Sequence, residues 1–324
     1  MPKAIRIHST GGPDVMAWDD VTVGDPGPGE ARVRHTAVGV NYIDTYHRSG
    51  LYKLPLPSGI GSEAAGVVEA VGSGVDGVKP GDRVAYTGGA PGSYAEQRLF
   101  PADRLVKIPE GVSDRSAATL MLKGLTVQYL LRQTYKVKAG DTILFHAAAG
   151  GVGLIACQWA RALGATVIGT VGSAAKATLA KENGCTHAID YTRENFVVRV
   201  KEITGGKGVP VVYDGVGKDT YPASLECLSP RGLWVSFGNA SGAITNFDLL
   251  LLAQKGSLYA TRPTLFTHIA TRAALTAAAD EMFELVRTGK IVSEPRQTFA
   301  LKDAAAAHRA LESRGTVGAT VLIP

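Results

Sequence analysis

The stretch LFHAAAGGVGLIACQWARALGA joins an apolar run to a cluster of small residues and then to a second apolar segment with helical spacing. Its AAGGVG follows the GxGxxG pattern, with Ala148 at the first glycine position, Gly150 at the second and Gly153 at the last. Small residues let a phosphate approach the backbone, and the N–H groups of Gly151 and Val152 at a helix start carry partial positive charge. Tight packing of a strand on a helix would also need small residues. The apolar strand before the motif and the amphipathic helix after it favour a dinucleotide pyrophosphate site.

The segment after this helix indicates which dinucleotide binds. A site for NAD normally has an acidic residue about 20 residues further on, which binds the ribose 2′-OH. No acidic residue occurs here between Asp141 and Glu182, and Gly172, Ser173 and Lys176 occupy the corresponding region. A hydroxyl and an ammonium group suit a 2′-phosphate, with each charge-assisted hydrogen bond contributing about 1.5 to 3 kcal/mol. The sequence therefore predicts NADPH, although a lysine at this position is also compatible with simple solvation.

The elements that must position these residues alternate regularly. The segments TILFHA, ATVIGTV, THAIDY, VPVVYDGV, GLWVSFG and SLYATR are typical of strands, and the first four are each followed by a segment typical of a helix before the next strand. Short loops between strands and helices predict a doubly wound parallel sheet with right-handed crossovers. Upstream, SDRSAATLMLKGLTVQYLLRQTY predicts one helix with Ser113 as its N-cap.

Both ends of the chain have a different pattern. The first 120 or so residues are interrupted by glycine and proline, and the short segments KAIRI, EARVRHTAV, AAGVVEAVG and DRVAY alternate in polarity. They predict an antiparallel, barrel-like β unit. The C-terminal region predicts a helix from Thr271 to Arg287, a strand around Gln297 to Ala300, a helix from Lys302 to Ser313 and a strand near Thr316 to Ile323.

Composition excludes several other classes of protein. With 324 residues, 45% of them hydrophobic, the chain is long enough for two domains. The net charge of +5 and the absence of a block of five basic residues argue against a nucleic-acid partner. The three cysteines, Cys157, Cys185 and Cys227, fit neither a disulfide framework nor a CxxC metal site. No apolar run reaches the roughly 20 residues of a membrane span, and MPKAIRIHST lacks a signal-peptide core, which predicts a cytoplasmic protein.

Segments distributed along the whole chain resemble the medium-chain dehydrogenase/reductase superfamily, and within it the zinc-free NADPH:quinone oxidoreductases of the zeta-crystallin branch. The resemblance implies an α/β fold in which a GroES-like β-barrel catalytic domain, residues 1–122 and 263–324, flanks a Rossmann domain, residues 123–262. The segments that carry it are GVNYIDTYHRSGLY, PSGIGSEAAGVVEAVG, LKGLTVQYLL, FHAAAGGVGLIACQWARALGA, VVYDGVG, SFGNASG and LYATRP.

The same resemblance predicts chemistry without a metal. Alcohol dehydrogenases of the superfamily bind catalytic zinc through a Cys in the first of these segments and a His in a GHE motif in the second. The matching residues here are Asn41 in VNYID and Ser62 in GSE, and the four-cysteine lobe for structural zinc is absent. Without a Lewis acid, oxidation of simple alcohols is disfavoured. A quinone or enone spreads the negative charge of an incoming hydride by itself, so that positioning and hydrogen-bond donors suffice.

The resemblance also implies which residues act. Asn41, Tyr46 and Tyr52 are expected to line a cleft near the nicotinamide, with Asn41 and Tyr46 positioning the reactants or donating hydrogen bonds. Packing as part of the wall is the alternative for the two tyrosines. The residues expected to contact NADPH are Asn41, Tyr46, Tyr129, Gly150, Gly151, Val152, Gly172, Ser173, Lys176, Tyr191, Val216, Phe237, Gly238, Asn239, Arg262, Pro263, Thr264, Leu265 and Arg314.

Reduction of a quinone is accordingly the predicted activity, and reduction of α,β-unsaturated aldehydes or ketones is the alternative within the same enzyme class. A nucleotide-dependent RNA-binding or crystallin-like role is a further alternative. It is disfavoured because only 7% of residues are aromatic and no RNP-like cluster is present. Relatives in the superfamily dimerise through the last Rossmann strand, here SLYATR after the apolar FDLLLLAQ. An exposed strand edge of this kind predicts a homodimer.

Overall fold

The computed structural model describes all 324 residues. The chain divides into two compact units, one formed by Met1–Leu125 together with Ile269–Pro324, and one formed by Thr126–His268. The junctions predicted from the sequence lie a few residues before these bounds. We call them the flanking unit and the central unit and describe each by itself.

The flanking unit contains ten strands in two sheets. One sheet has the order β2-β1-β4, and the other has the order β15-β16-β3-β5-β6-β8, with β7 also pairing with β3. All pairs in the two sheets are antiparallel except β15 with β16, and neither sheet closes on itself. The strands are β1 (Lys3–Ile7), β2 (Met16–Asp20), β3 (Glu30–Val40), β4 (Ser58–Gly59), β5 (Glu63–Val71), β6 (Arg83–Thr87), β7 (Gln97–Pro101), β8 (Val106–Lys107), β15 (Gln297–Ala300) and β16 (Thr320–Ile323).

Strand β3 explains how the larger sheet forms. Ala31, Val33 and Ala37 alternate with Arg32 and Arg34, and the first three are buried in the core. Such alternation is the pattern of a strand with one solvated face. From residue 37 to residue 40 every position is buried. The end of β3 therefore enters the interior of the flanking unit, where the candidate site begins.

Four helices lie wholly in the flanking unit, and a fifth crosses its boundary. They are α1 (Tyr42–Ser49), α2 (Asp114–Leu120), α10 (Arg272–Arg287), α11 (Ala304–Glu312) and, across the boundary, α3 (Lys123–Tyr129). Ser113 and Thr271 cap α2 and α10 through their side-chain oxygens, as expected for N-cap residues. No helix of the chain combines the length and the apolar character needed to cross a membrane.

The single helix predicted from Ser113 onward is wrong. The structure ends α2 at Leu120, begins α3 at Lys123 and continues as a π-helical turn, Leu130–Thr134. The backbone N–H of Leu122 donates to the Glu63 carboxylate at 2.6 Å instead of continuing the helical ladder. The buried Glu63 side chain, which comes from β5, thus interrupts the helix. The sequence pattern of the helix itself contains no sign of this contact.

The central unit is a six-stranded parallel sheet with the order β11-β10-β9-β12-β13-β14. Counted along the unit, this is the order 3-2-1-4-5-6 of a doubly wound dinucleotide-binding fold, and it confirms the predicted fold class. Its strands are β9 (Thr142–Phe145), β10 (Thr166–Val171), β11 (His187–Asp190), β12 (Val209–Asp214), β13 (Leu228–Ser236) and β14 (Tyr259–Thr261). Its helices are α4 (Gly151–Ala162), α5 (Ala174–Glu182), α6 (Phe196–Ile203), α7 (Ala223–Glu226), α8 (Leu250–Gln254) and α9 (Leu265–His268).

Candidate active site

The predicted phosphate turn lies between β9 and α4 of the central unit. Gly150 is the residue before α4, and no side chain caps the helix there. A Cβ added to Gly153 would lie 2.3 Å from the Ala147 carbonyl oxygen and 2.7 Å from the Ala148 Cα atom. The turn therefore admits only glycine at this position. The first N–H groups of an α-helix have no partner within the helix, so that Gly151 and Val152 present donors suited to an anion.

Four residues predicted to bind the adenosine half of the cofactor lie together after β10 and β11. A Cβ on Gly172 would approach the Tyr191 hydroxyl oxygen to 2.6 Å, so the missing side chain makes room for this tyrosine. The Ser173 hydroxyl oxygen caps α5 by accepting the Lys176 backbone N–H at 3.3 Å. Asp190, at the end of β11, turns its carboxylate to its own loop, where it accepts from the Thr192 hydroxyl at 2.7 Å. Strand β10 and the turn after it contain no acidic residue that could face Ser173 and Lys176.

The loop after β12 is held by a buried carboxylate that sequence reasoning missed. Asp214 is fully buried and its Oδ1 atom accepts the N–H groups of Val216 and Gly217, each at 3.0 Å. Its Oδ2 atom accepts from the Ser224 hydroxyl at 2.9 Å and from the Trp234 indole at 3.3 Å. An aspartate that ends an apolar strand, as in VVYDGVG, is the signal that was available. The side chain fixes the position of the loop that carries Val216.

The loop after β13 packs directly on the loop after β12. A Cβ on Gly238 would lie 2.4 Å from the Gly215 carbonyl oxygen, and one on Gly215 would lie 2.9 Å from the Phe237 ring. The absence of these side chains lets the two loops touch. The structure thus brings Val216 together with Phe237 and Gly238, and Asn239 follows them in the chain.

The remaining predicted residues of the central unit lie near the end of β14. The Arg262 guanidinium donates to the Ser236 carbonyl oxygen at 2.7 Å, and Pro263 and Thr264 lead into α9 at Leu265. The Tyr129 ring stacks on His268, with ring centroids 4.6 Å apart. Burial raises the pKa of Tyr129 well above its ordinary value, while the charge of Arg262 lowers it. Except for Tyr129, every predicted residue of this unit follows the carboxyl end of a parallel strand, where such sheets bind ligands.

Arg314 is the last of the residues predicted to contact the cofactor phosphates. It belongs to the flanking unit and lies just after α11, with a left-handed φ of 59°.

The three predicted residues of the acceptor side lie in α1 of the flanking unit or close to its ends. Asn41 immediately precedes the helix, Tyr46 lies within it, and Tyr52 follows it. The Tyr46 and Tyr52 rings meet edge to face with centroids 5.3 Å apart. The Tyr52 backbone N–H donates to the Tyr46 carbonyl oxygen at 3.0 Å, which secures the turn after the helix. The structure therefore brings the two tyrosines together as one aromatic pair.

Asn41 belongs to a buried polar group that the sequence did not predict. Its side-chain amide donates to Oε1 of Glu63 at 2.9 Å, and the Lys123 ammonium donates to the same oxygen at 2.7 Å. Glu63 is fully buried and Lys123 is only 5% exposed. A lysine within the otherwise apolar LMLKGLTV was a signal for a buried cation, and the acid of GSE was a signal for its partner.

Asp44 forms the centre of a second buried network beside the first. Its carboxylate accepts from the Ser62 hydroxyl at 2.6 Å, from the Tyr94 hydroxyl at 3.0 Å and from the Asn41 backbone N–H at 2.9 Å. Burial raises the pKa of Asp44 to about 6, although these hydrogen bonds favour the ionised form. Ser62 and Asn41, the two residues at positions of zinc ligands in the alcohol dehydrogenases, thus both contact this carboxylate.

The network continues from Tyr94 to the surface. The Tyr94 hydroxyl lies 3.0 Å from Nε2 of His308, and Nδ1 of His308 lies 3.0 Å from the Arg48 guanidinium, which pairs with Glu312. Burial, together with the charge of Arg48, lowers the pKa of His308 to about 3. His308 is therefore neutral, accepting at Nδ1 and donating from Nε2. No group of three or more His, Cys, Asp or Glu side chains in the chain is arranged to hold a metal ion.

Two known protein families match segments of this chain. Residues 27–110 match the alcohol dehydrogenase GroES-like domain, and residues 151–283 match the family described as zinc-binding dehydrogenase. These matches agree with the two kinds of sheet in the structure.

Individual relatives match over nearly the full length. The chain is 57% identical to a quinone oxidoreductase of Pseudomonas aeruginosa over 325 residues, which covers 100% of both chains. It is 48% identical to a 2-haloacrylate reductase of a Burkholderia species, covering 100% of this chain and 99% of the relative. The crystal structure of Escherichia coli quinone oxidoreductase complexed with NADPH superposes with a TM-score of 0.98 at 54% identity, covering 99% and 100% of the two chains. The protein is therefore an oxidoreductase that belongs to the quinone oxidoreductase family of the medium-chain dehydrogenase/reductase superfamily.

Proposed function

We propose that the protein transfers a hydride from NADPH to a quinone without using a metal ion. The observation that carries this proposal is the composition of the sheet edge in the central unit. Its glycine turn has no room for a Cβ at Gly153, and Gly172, Ser173 and Lys176 stand where an NAD site would have an acid. The full-length similarity to quinone oxidoreductases supports the choice of acceptor.

The central unit holds the cofactor in this proposal. When bound, NADPH supplies the hydride. The N–H groups of Gly151 and Val152 bind the pyrophosphate, because the start of α4 offers donors and partial positive charge. The Ser173 hydroxyl and the Lys176 ammonium bind the 2′-phosphate, and Tyr191 lies beside the adenine.

The flanking unit binds the acceptor. Negative charge develops on a quinone oxygen as the hydride arrives, and Asn41 and Tyr46 donate hydrogen bonds to it. The edge-to-face contact with Tyr52 holds the Tyr46 ring in place. Because a quinone delocalises this charge, donors of this kind replace a Lewis acid, and a proton then completes the hydroquinone.

A substrate panel tests the proposal. NADPH and NADH oxidation is followed with ortho-quinones, para-quinones and enals, and NADP⁺ reduction is followed with primary alcohols, each with and without a chelator. We expect rapid turnover of quinones with NADPH, no alcohol oxidation and no effect of the chelator. Sensitivity to the chelator, or oxidation of primary alcohols, would contradict a metal-free quinone reductase.

Reduction of conjugated carbon–carbon double bonds is a second candidate, and one observation favours it. The Burkholderia 2-haloacrylate reductase is 48% identical to this chain over nearly its entire length. The same hydride geometry serves both reactions, because each acceptor is an electron-poor conjugated system. A kcat/KM for enals or 2-haloacrylates that exceeds the value for every quinone of the panel would establish this candidate instead.

We also propose that the protein is a homodimer formed through the central unit. Strand β14 is an edge of its sheet, and Tyr259 on it is 61% exposed. Nearby in the chain, Leu249 is 72% exposed and Leu250 is 58% exposed. An exposed strand edge and large apolar side chains are typical of a surface that is covered by another chain. Light scattering at micromolar concentration should give the mass of a dimer, and a monomer mass would contradict this assembly.

A further inference from the structure

The Glu63 carboxylate is a fully buried charge of the flanking unit with hydrogen-bond donors on both of its oxygens. It accepts from groups in two other segments, with Asn41 Nδ2 at 2.9 Å and Lys123 Nζ at 2.7 Å on Oε1, and Leu122 N at 2.6 Å on Oε2. Strand β3 leaves room for it, since a Cβ on Gly39 would lie 2.3 Å from Oε1. The two oxygens therefore have separate partners. Oε2 accepts the Leu122 N–H at the break between α2 and α3. Oε1 accepts from the candidate donor Asn41 and from the Lys123 ammonium.

A carboxylate at this position determines how the Asn41 side chain is oriented. An ionised carboxylate only accepts hydrogen bonds, so the amide of Asn41 must turn its NH₂ group, and not its oxygen, toward Glu63. One of the two amide hydrogens then bonds to Oε1. This bond fixes the plane of the Asn41 amide and therefore the direction of its second hydrogen. A neutral side chain in place of Glu63 would accept or donate, and either orientation of Asn41 would satisfy it.

Lys123 has the properties of a counter-ion in this arrangement. A fully buried carboxylate without a nearby cation is strongly disfavoured, and a buried ion pair by itself adds little to stability compared with apolar packing. Its ammonium shares one oxygen atom with Asn41, so a buried positive charge lies next to the amide. Such a pair is better explained by the orientation and polarisation that it gives to Asn41 than by its contribution to folding.

We propose that Glu63, with Lys123 as its counter-ion, is a positioning residue that holds the Asn41 amide with its second N–H directed to the oxygen of the acceptor. The inference rests on the proposed function, in which Asn41 donates to that oxygen. Glu63 contacts neither the acceptor nor the cofactor in this account. Its effect on the reaction passes entirely through Asn41.

The test compares Glu63→Gln in the wild-type and Asn41→Ala backgrounds. Glutamine keeps the size of the side chain but removes the charge and the acceptor-only character. We expect Glu63→Gln alone to lower kcat for quinone reduction by about tenfold, because the Asn41 amide loses its fixed orientation, which costs less than removal of the whole donor. The Kd for NADPH, measured by cofactor fluorescence, should stay within about twofold, because Glu63 does not contact the cofactor and the Asn41 side chain is still present.

In the Asn41→Ala background the same substitution should change kcat by less than about twofold, because the amide on which it acts is gone. An equal loss in both backgrounds would show a merely structural role and would overturn the inference. If Asn41→Ala lowers kcat and Glu63→Gln does not, the inference fails while the proposed function stands. If Asn41→Ala retains the wild-type kcat, the donor role of Asn41 fails, and the inference fails with it.

Two further variants keep the test informative if Glu63→Gln folds poorly. The double variant Glu63→Gln/Lys123→Met contains no unpaired buried charge, and we expect it to regain thermal stability while its kcat stays low. Recovery of kcat together with stability would overturn the inference. Glu69→Gln, on the outer part of the same strand, removes a surface carboxylate that pairs with Arg32 and Arg34 and should leave kcat unchanged.

Discussion

In the central unit the candidate cofactor site is built largely from backbone groups and from positions where a side chain is missing, whereas in the flanking unit the candidate acceptor site rests on buried charged side chains. At Gly153, Gly172 and Gly238 an added Cβ would meet another atom at 2.3 to 2.6 Å. In the flanking unit, Asp44 and Glu63 are fully buried and each is held by donors from distant parts of the chain. The first kind of site depends on local backbone geometry, and the second depends on which remote segments meet.

The two kinds of site should respond differently to substitution. A backbone site fails when an atom is added, since its hydrogen-bond donors are part of the main chain and move with it. A site of buried charges fails when a partner is removed, because the remaining group loses its hydrogen bonds inside a medium that solvates it poorly. Substitutions that add a methyl group should therefore damage the central unit most. Substitutions that remove a buried hydrogen-bond partner or a buried charge should damage the flanking unit most.

The largest effect is expected for Gly153→Ala in the central unit. The new Cβ would overlap the Ala147 carbonyl and the Ala148 backbone, so the turn must open and its N–H groups must move away from the pyrophosphate. Affinity for NADPH should fall by about a thousandfold, or about 4 kcal/mol, as measured by fluorescence titration. At Gly150 the added Cβ would meet the Ala147 oxygen at 3.2 Å, so Gly150→Ala should cost clearly less. Equal losses for the two variants would contradict the backbone account.

A smaller effect, confined to acid pH, is expected from the buried histidines of the flanking unit. Burial lowers the pKa of His35 to about 4 and, together with Arg48, that of His308 to about 3. The unfolded chain takes up these protons near pH 6.5 and the folded chain does not, so the free energy of unfolding falls as the pH drops below 6.5. Asp44, whose pKa burial raises to about 6, has the opposite sign between pH 6 and 4 and offsets one of the two histidines.

The variant His35→Gln should remove up to about 3 kcal/mol of this pH dependence between pH 6.5 and 4. Nδ1 of His35 lies 2.6 Å from the Ala95 carbonyl oxygen and Nε2 lies 2.8 Å from the Tyr86 hydroxyl, so the neutral ring is fully engaged. Urea unfolding at several pH values measures the slope. The exposed His8, which pairs with Asp19, provides the control His8→Gln. A slope that is unchanged by His35→Gln would show that this histidine is not kept neutral by the fold.

Tyr46→Phe is expected to have a moderate effect on turnover. Removing one of two donors to the acceptor oxygen should lower kcat for both quinones and enones by about 30-fold, or about 2 kcal/mol, less than the loss of a sole oxyanion donor. Tyr42 on the same helix donates to the Leu311 carbonyl oxygen at 3.0 Å, so Tyr42→Phe should reduce stability and leave kcat intact. If Tyr46→Phe turns over both substrates at the wild-type rate, the tyrosine serves only as part of the wall.

The smallest effect is expected for Lys176→Ala. Loss of one charge-assisted hydrogen bond should raise the KM for NADPH about tenfold, or about 1.4 kcal/mol, and should leave the KM for NADH nearly unchanged. Lys181, in the last turn of the same helix, is exposed, and Lys181→Ala is the matched control. Equal increases in the KM for NADPH and the KM for NADH would show that Lys176 does not bind the 2′-phosphate.

Much of the central unit could be predicted from local pattern. The parallel sheet follows from alternating strands and helices, and the glycine spacing of AAGGVG indicates the turn that the structure contains. Absence of an acid between Asp141 and Glu182 is also a property of the sequence alone. These features can be predicted because they depend on the backbone geometry of a few consecutive residues, which residue size and periodicity report directly.

The tertiary structure alone decided the polar interior of the flanking unit and the break between α2 and α3. Glu63 reaches Lys123, and Tyr94 reaches both Asp44 and His308, across long separations in the chain. These contacts depend on strand register and on where a helix packs, and a one-residue shift would turn each side chain to the opposite face. Local sequence patterns were enough to predict the fold class and the kind of nucleotide turn, because both depend on neighbouring residues. Which buried charges meet Asn41 was decided by long-range packing, because no local pattern records which remote side chain will share its hydrogen bond.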